Sequence, residues 1–286
     1  MSNPPKALII GRPVKHARSP LIHAYWLEKL GIPGAYDRQD VMPGAVSAVL
    51  RELPSGGYVG GNVTVPHKEE AFLACDRLSE VARAVKAVNT LWFEDGQLCG
   101  DNTDGSGFVA HLDQTHPGWD HDHPRILLLG SGGAARGLIV PLLERAPKSI
   151  TVTNRSEERA QKLAEDIRLA RPEADLRVIP WDQREKALTE ADLLINTTSL
   201  GMNGQPALEL DLSNLPSTAI VADIVYIPLE TPLLAAAHAR GLRTLDGLGM
   251  LLHQAVPGFE RWFGVKPAVT EALRAHILAD LQPKTA

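Results

Sequence analysis

The sequence predicts an α/β protein built largely on parallel strands. Three observations predict it. Short apolar runs alternate with helical patterns nearly throughout the chain. A glycine-rich stretch, "GSGGAAR" at 130–136, joins a strand-like run to a helix-like one. The 286 residues, 44% hydrophobic and 22% charged, can form two domains or one large one with an ample core.

Composition also narrows the partners. The net charge is −5 and no block of like charges occurs, so neither nucleic acid nor an anionic membrane is expected as a partner. Cys75 and Cys99 form no CxxC pair and suit a reducing compartment. The start, "MSNPPKALIIG", lacks a basic-then-apolar leader, and no apolar run reaches membrane-spanning length. A cytoplasmic location is the expectation.

In the first third, "ALIIG" reads as a strand. "SPLIHAYWLEKLG" reads as a helix capped by Ser19, with Pro20 at its first position and Gly31 ending it. "AYDRQDV" is a second strand, "GAVSAVLREL" a helix and "YVGGNVTVP" a third strand. "EEAFLACD" and "SEVARAVKA" are short helices, and "VNTLWFEDGQLCG" is a hairpin turning at Asp95-Gly96. "HLDQTHPGWDHDHPR" reads as a connecting loop. It holds four of the ten histidines, without a spacing that supports metal ligation. Beyond it, "RILLLG", "SITVTN", "LRVIP", "DLLINTT" and "TAIVADIVY" read as strands, with "RTLDG" as a last one. "GAARGLIVPLLER" and "SEERAQKLAEDIRLA" read as helices, and "GLGMLLHQAVPGFERWFG" as one long helix.

Two stretches carry chemistry. Gly130 permits a tight turn, Gly132 lets backbone approach a pyrophosphate, and Gly133 with Ala134 keeps the helix start slim; Ser131 lies between them. Where an NAD site would often place an acidic residue, the next strand ends in Thr153, Asn154, Arg155 and Ser156, with Arg159 following. Guanidinium groups suit a 2′-phosphate, which favours NADP over NAD. The second stretch is "GGNVTVPHKEEA", followed by "AVNTLW" and "GDNTDGSG". Asn62, Thr64, Asn89 and Thr103 can donate and accept hydrogen bonds as a polyhydroxylated ligand requires. Lys68 and Asp104 form a candidate acid/base pair. Taken singly, the lysine reads as solvated and the aspartate as a turn former. His67 and His16 read as packing or hydrogen-bonding residues, Glu69 and Glu70 as first-turn helix acids, and Asp223 and Asp246 as turn or capping residues.

Those segments, with "GRPVKHARSPLIH", "GSGGAARG", "TNRSEER" and "DGLGMLLHQA", occur in the order found in shikimate dehydrogenases. The chain resembles that family from about Gly11 to the C-terminal helix. The resemblance implies two domains: residues 1–104 plus 247–286 binding substrate on a mostly parallel α/β sheet, and a Rossmann-type doubly wound NADP-binding domain at 105–246. The active site is expected in the cleft between them. It implies reversible reduction of 3-dehydroshikimate to shikimate with NADPH, in the pathway to chorismate and the aromatic amino acids. Carried across, Lys68 is the acid/base and Asp104 its partner. Asn89 and Asp104 meet the ring hydroxyls, Thr64, Gln254 and Tyr226 face the substrate, Ile224 and Gly247 lie near the nicotinamide, and Glu80 lies near the cofactor.

One departure stands out. The family's H-S-x-S-P reads "HARSP" here, so Ala17 replaces the first of two carboxylate-holding serines, Arg18 stands between them, and Ser19 is kept. Loss of one such bond costs about 1 to 2 kcal/mol. Ala17 leaves room for a quinate/shikimate or aminoshikimate-type relative. A folate dehydrogenase is disfavoured by the NTDG and AVNT segments, and a catalytically silent NADP sensor by the Lys68/Asp104 pair. A homodimer stays open.

Overall fold

The computed structural model describes residues 4–281. The chain divides into two compact units, residues 1–107 with 252–286 and residues 108–251. The domain borders drawn from the sequence lie at 104/105 and 246/247, and the outermost parts of the expected substrate domain, 1–3 and 282–286, lie outside the described residues.

In the first unit β1 (Lys6–Gly11) buries Ala7 through Ile10, the continuous apolar run of a strand covered on both faces. α1 (Ser19–Leu30) ends at Gly31, whose φ of 64° is left-handed. Its start differs by one residue from the sequence reading. Arg18 is already helical in φ and ψ and holds the capping position without a side-chain cap, so Ser19 is the first helical residue. β2 (Ala35–Asp40), α2 (Val46–Glu52), β3 (Tyr58–Val63), α3 (Lys68–Ala74), the two-residue β4 (Arg77–Leu78) and α4 (Glu80–Val85) follow. β5 (Thr90–Glu94) and β6 (Gln97–Asp101) form the hairpin, with Asp95 and Gly96 at φ of 52° and 75°, as a two-residue turn between twisted strands requires. The six strands order as β2-β1-β3-β5-β6-β4. The β1–β2, β1–β3 and β4–β6 pairings are parallel, while β3–β5 and β5–β6 are antiparallel. Leu8, Ile10, Leu50, Val63, Leu91 and Leu98 centre one apolar cluster of this unit.

α5 (Asp104–Thr115) crosses the first border. The sequence reading assigned no helix here: 111–115 fell in a loop whose composition turns to His, Asp and Pro, and glycines at 105 and 107 lower helix propensity ahead of it. Buried Phe108, Val109 and Leu112 favour the helix despite them. The second unit continues with β7 (Arg125–Leu129), α6 (Gly133–Leu143), β8 (Ser149–Thr153), α7 (Glu157–Ala170), β9 (Leu176–Ile179), α8 (Arg184–Ala187), β10 (Leu193–Asn196), β11 (Ile220–Asp223), α9 (Pro232–Ala239) and β12 (Arg243–Leu245). Its strands order as β12-β11-β10-β7-β8-β9, with every pairing parallel. This is the doubly wound order, and the chain reverses direction of growth between β7 and β10.

The single long helix expected over 247–264 is two, α10 (Gly247–His253) and α11 (Ala255–Phe263), meeting at Gln254. Pro257 has no N–H to offer the carbonyl of His253, so the ladder breaks there. α12 (Glu271–Leu281) closes the described chain. Among the described residues no helix is long and apolar enough to cross a membrane, and no group of His, Cys, Asp or Glu is arranged to hold a metal ion.

Candidate active site

In the first unit, β3 ends at Val63 and the chain turns through Thr64 to His67 before α3 begins with Lys68. Two bonds fix that turn. The His67 ring nitrogen Nε2 lies 2.8 Å from the carbonyl of Val41, which can only accept, so Nε2 carries the proton. The carbonyl of Lys68 accepts from the amide of Val88 at 2.9 Å. Glu70 receives the amides of Gly44 and Val46 at 3.0 and 3.1 Å, satisfying donors at the head of α2. The Lys68 ammonium therefore leaves a well-held backbone, and it donates to Oδ2 of Asp104, the first residue of α5.

The other carboxylate oxygen, Oδ1, accepts from Nδ2 of Asn89 at 2.8 Å. The orientation of that amide is dictated by the backbone. Oδ1 of Asn89 faces the amide of Thr103 at 2.9 Å, a group that can only donate, so Nδ2 must point at Asp104. Asn62 is fixed in the same way. Its Nδ2 faces the carbonyl of Asn89 at 3.0 Å, so its Oδ1 is the atom that accepts the Tyr36 hydroxyl at 2.5 Å. The hydroxyl of Thr103 donates to the carbonyl of Gln254 at 2.9 Å, and Oε1 of Gln254 lies 3.4 Å from Nδ2 of Asn89. A Cβ on Gly107 would come within 2.6 Å of the Gln254 amide nitrogen, so glycine there lets α5 and the α10–α11 joint meet.

Lys68, Asn89, Asp104 and Gln254 are thus brought together. Asn62 and Thr103 lie behind them, 4% and 2% exposed, with their protons directed to protein acceptors. Thr64 is half-buried, its methyl filling the space over Gly11. Ser19 is buried, and its hydroxyl reaches the Tyr36 phenol. Ala17 offers only backbone, and its carbonyl accepts from Arg38 at 3.0 Å. Arg18 turns to Asp280 at 2.7 Å. Glu80 is exposed in the first turn of α4.

The second unit holds the other predicted residues. Gly130 has a φ of 107°, and a Cβ there would lie 2.6 Å from Oγ1 of Thr197. No atom lies within 4 Å of where a Cβ on Gly132 or Gly133 would stand, and no side chain caps α6. Oγ of Ser131 and Oγ1 of Thr153 are buried without a hydrogen-bond partner. Open space over two glycines, uncapped first-turn amides and two orphaned hydroxyls fit a bound pyrophosphate. Asn154 bonds the carbonyl of Ser156 at 2.9 Å, Ser156 caps α7 by accepting from the amide of Arg159, and Arg155 and Arg159 are exposed. Two exposed guanidiniums beside that turn fit a further phosphate.

At the ends of β10 and β11, Asp223 accepts from Asn196 at 3.0 Å, the amide of Val225 at 3.0 Å and Thr231 at 2.7 Å. Burial nevertheless raises its pKa to about 6. Asp223 thereby holds the turn through half-buried Ile224 and Tyr226. Gly247 packs against that turn so closely that a Cβ would stand 2.1 Å from the carbonyl oxygen of Ile224. Asp246 caps α10 by accepting the amide of Leu248 at 2.9 Å.

Family models cover most of this architecture: "Shikimate dehydrogenase substrate binding domain" over residues 9–91, "Shikimate / quinate 5-dehydrogenase" over 113–225 and "Shikimate 5'-dehydrogenase C-terminal domain" over 247–277. The shikimate dehydrogenase (NADP(+)) of Azorhizobium caulinodans is 53% identical over 281 residues, 98% of each chain. The chain belongs to the shikimate dehydrogenase family.

Solved family structures agree with this assignment. The Thermus thermophilus shikimate 5-dehydrogenase in complex with NADP(H) and shikimate matches with a TM-score of 0.84 at 34% identity, covering 96% of this chain and 99% of that one. The Corynebacterium glutamicum quinate dehydrogenase in complex with NAD matches with a TM-score of 0.89 at 30% identity, covering 97% and 100%. In this shikimate dehydrogenase family member, sequence reasoning passed over Tyr36, Thr90 and His23. Tyr36 and Thr90 bond directly to Asn62, and His23 stacks on Tyr36 with ring centroids 4.0 Å apart. No alternation along β2 marks Tyr36, because Ala35 and Tyr36 are both half-buried and Asp37 to Asp40 are all exposed.

Proposed function

We propose that this chain is an NADP-dependent shikimate dehydrogenase that interconverts 3-dehydroshikimate and shikimate on the way to chorismate and the aromatic amino acids. The observation that carries the chemistry is the Lys68 ammonium bonded to Asp104, whose second oxygen is held by Asn89. Bound NADPH supplies the hydride for reduction, and NADP+ accepts it in the reverse direction. Lys68 stabilises the negative charge that grows on the carbonyl oxygen and delivers a proton from Nζ. Asp104 aims the lysine and accepts from a ring hydroxyl, Asn89 holds a neighbouring hydroxyl, and Thr64, Gln254, Tyr226 and Ser19 complete the substrate's surroundings. Asn62 and Thr103 serve from behind. For alcohol oxidation Lys68 must first be neutral, so turnover in that direction rises with pH.

The cofactor's pyrophosphate falls to Gly130, Ser131, Gly132, Gly133 and Ala134, and its 2′-phosphate to Asn154, Arg155, Ser156 and Arg159. Ile224 and Gly247 serve the nicotinamide end, with Glu80 a further contact. Two free cysteines suit a reducing interior, which supports a cytoplasmic location. The test is absorbance of NADPH formed from NADP and shikimate, with Lys68→Ala beside wild type. Turnover should fall roughly 10²- to 10⁴-fold in the variant. Near-wild-type turnover there would remove the lysine from its role.

Ala17 favours one second reading, a quinate/shikimate-type relative with a different carboxylate end. Shikimate against quinate, measured on wild type and Ala17→Ser together, separates the two. A gain in shikimate affinity of about fivefold on restoring the hydroxyl supports the first. Turnover of quinate alone supports the second.

A further inference from the structure

We propose that Tyr36 is a positioning residue for the Lys68–Asp104 pair, acting through Asn62, Thr90 and Asn89. This rests on the function proposed for that pair. The bonds form one directed chain. The Tyr36 hydroxyl donates to Oδ1 of Asn62 at 2.5 Å, and Nδ2 of Asn62 donates to Oγ1 of Thr90 at 3.2 Å. Thr90 donates to Oδ1 of Asn89 at 2.9 Å, and Asn89 donates to Asp104 at 2.8 Å.

The direction of the two amides is fixed. Backbone groups fix both amides: the carbonyl of Asn89 holds the Asn62 amide group, and the amide of Thr103 holds the Asn89 oxygen. Thr90 already accepts from Asn62, and Thr103 has its own proton on the Gln254 carbonyl. The Thr90 proton then has two acceptors, Oδ1 of Asn89 at 2.9 Å and Oγ1 of Thr103 at 3.1 Å, and the shorter contact carries the chain to Asn89.

Tyr36 is the anchored end. It lies between the stacked His23 ring and Asn62. Burial holds its phenol well above the usual range, so its proton stays in place at working pH. His23 is wholly buried among Tyr36, Trp26, Phe259 and Trp262, and burial lowers its pKa to about 3, so it stacks as a neutral ring. Removing the Tyr36 hydroxyl leaves the ring packing intact and takes away the donor to the Asn62 oxygen, leaving that amide held only on its nitrogen side. The loosened Asn89 amide then withdraws less charge from Asp104, and more of that charge faces the ammonium.

Tyr36→Phe and Thr90→Val break the chain at its end and its middle, while Thr90→Ser keeps the hydroxyl. Each break should lower kcat for shikimate oxidation roughly tenfold, and Thr90→Val, which leaves Ser19 untouched, should change KM by less than about twofold. Each should also move the alkaline rise of the pH profile to higher pH, and Thr90→Ser should rescue both effects. A folded Thr90→Val or Tyr36→Phe variant with wild-type kcat and an unmoved profile overturns the proposal, as does a loss confined to melting temperature. A second readout needs no substrate. The side-chain amide protons of Asn89, followed by NMR in 15N-labelled protein, should exchange at least about tenfold faster in Tyr36→Phe. Unchanged exchange overturns the relay. Absence of wild-type turnover would count against the function alone, with the amide still deciding the relay.

Discussion

The polar cluster around Lys68 in the first unit and the glycine turn at Gly130 in the second, which we propose as substrate cluster and cofactor cradle, are opposite solutions to binding. In the cluster each polar group is already bonded to another: lysine to aspartate, aspartate to Asn89, Asn89 to Thr103 and Thr90. In the cradle the groups wait, with two hydroxyls orphaned, two arginines exposed and open space above two glycines. A group that must move one proton along one line gains from fixed neighbours, because orientation is then in place before substrate arrives. A site for a polyanion gains more from unclaimed donors, which would lose bonds if they had to release protein partners first.

That contrast can be broken at either end. The largest effect should come from Asp104→Asn, which removes the charge that aims Lys68 and sets a second amide against Asn89. Turnover should fall roughly a hundredfold or more, with NADP affinity by fluorescence titration changed less than about twofold. Arg155→Ala should do the reverse, weakening NADP by about 10- to 100-fold and NAD hardly at all, since an arginine–phosphate bond is worth about 1.5 to 3 kcal/mol. Equal losses for both cofactors would detach Arg155 from the 2′-phosphate. Gly132→Ala sharpens the comparison. Nothing in the protein obstructs its new methyl, so melting temperature should hold while NADP affinity drops severalfold. A variant that loses stability instead would show the space serves the fold.

The smallest effect, on stability against pH, has opposite signs in the two units. His23 falls from 6.5 to about 3 because burial disfavours its cation. The unfolded chain therefore takes up its proton first, and this unit loses up to a few kcal/mol as pH drops from 6.5 toward 3. Asp223 rises from 3.8 to about 6, so its contribution is present below 3.8 and lost as pH climbs through 6, on the order of 2 to 3 kcal/mol at most. Urea midpoints of His23→Phe and Asp223→Asn at pH 4, 5.5 and 7 read the two slopes. The first variant should lose the acid-side decline, and the second should lose the opposing one.

Much of the architecture was legible because its signals are local. β1 and β7 are continuous apolar runs, Asp95-Gly96 fits the hairpin, and the strand–glycine–helix passage at Gly130 has one common physical meaning. α5 was hidden because Gly105 and Gly107 lower helix propensity and a stretch rich in His, Asp and Pro follows, and the break at Gln254 needed the missing Pro257 donor to be traced one turn back. At the site, Lys68, Asn89 and Asp104 stood in three polar segments that follow or form strand ends. Tyr36 and Thr90 did not stand out. Their importance is set by bonds across β2, β3 and β5, and no local period encodes which hydroxyl faces which amide.

Wiring that runs through two amides also ages in a particular way. Loss of the Asn89 amide nitrogen by hydrolysis would set an oxygen against Asp104, two anions at the 2.8 Å now occupied by a donor and an acceptor. Such a molecule would keep its core and forfeit its chemistry. Asn62 and Asn89 are followed by β-branched Val63 and Thr90, and both Val63 and Thr90 lie in strands. Crowding and extended backbone keep each following nitrogen from curling back onto the side chain, so the sheet that positions the amides also protects them from deamidation.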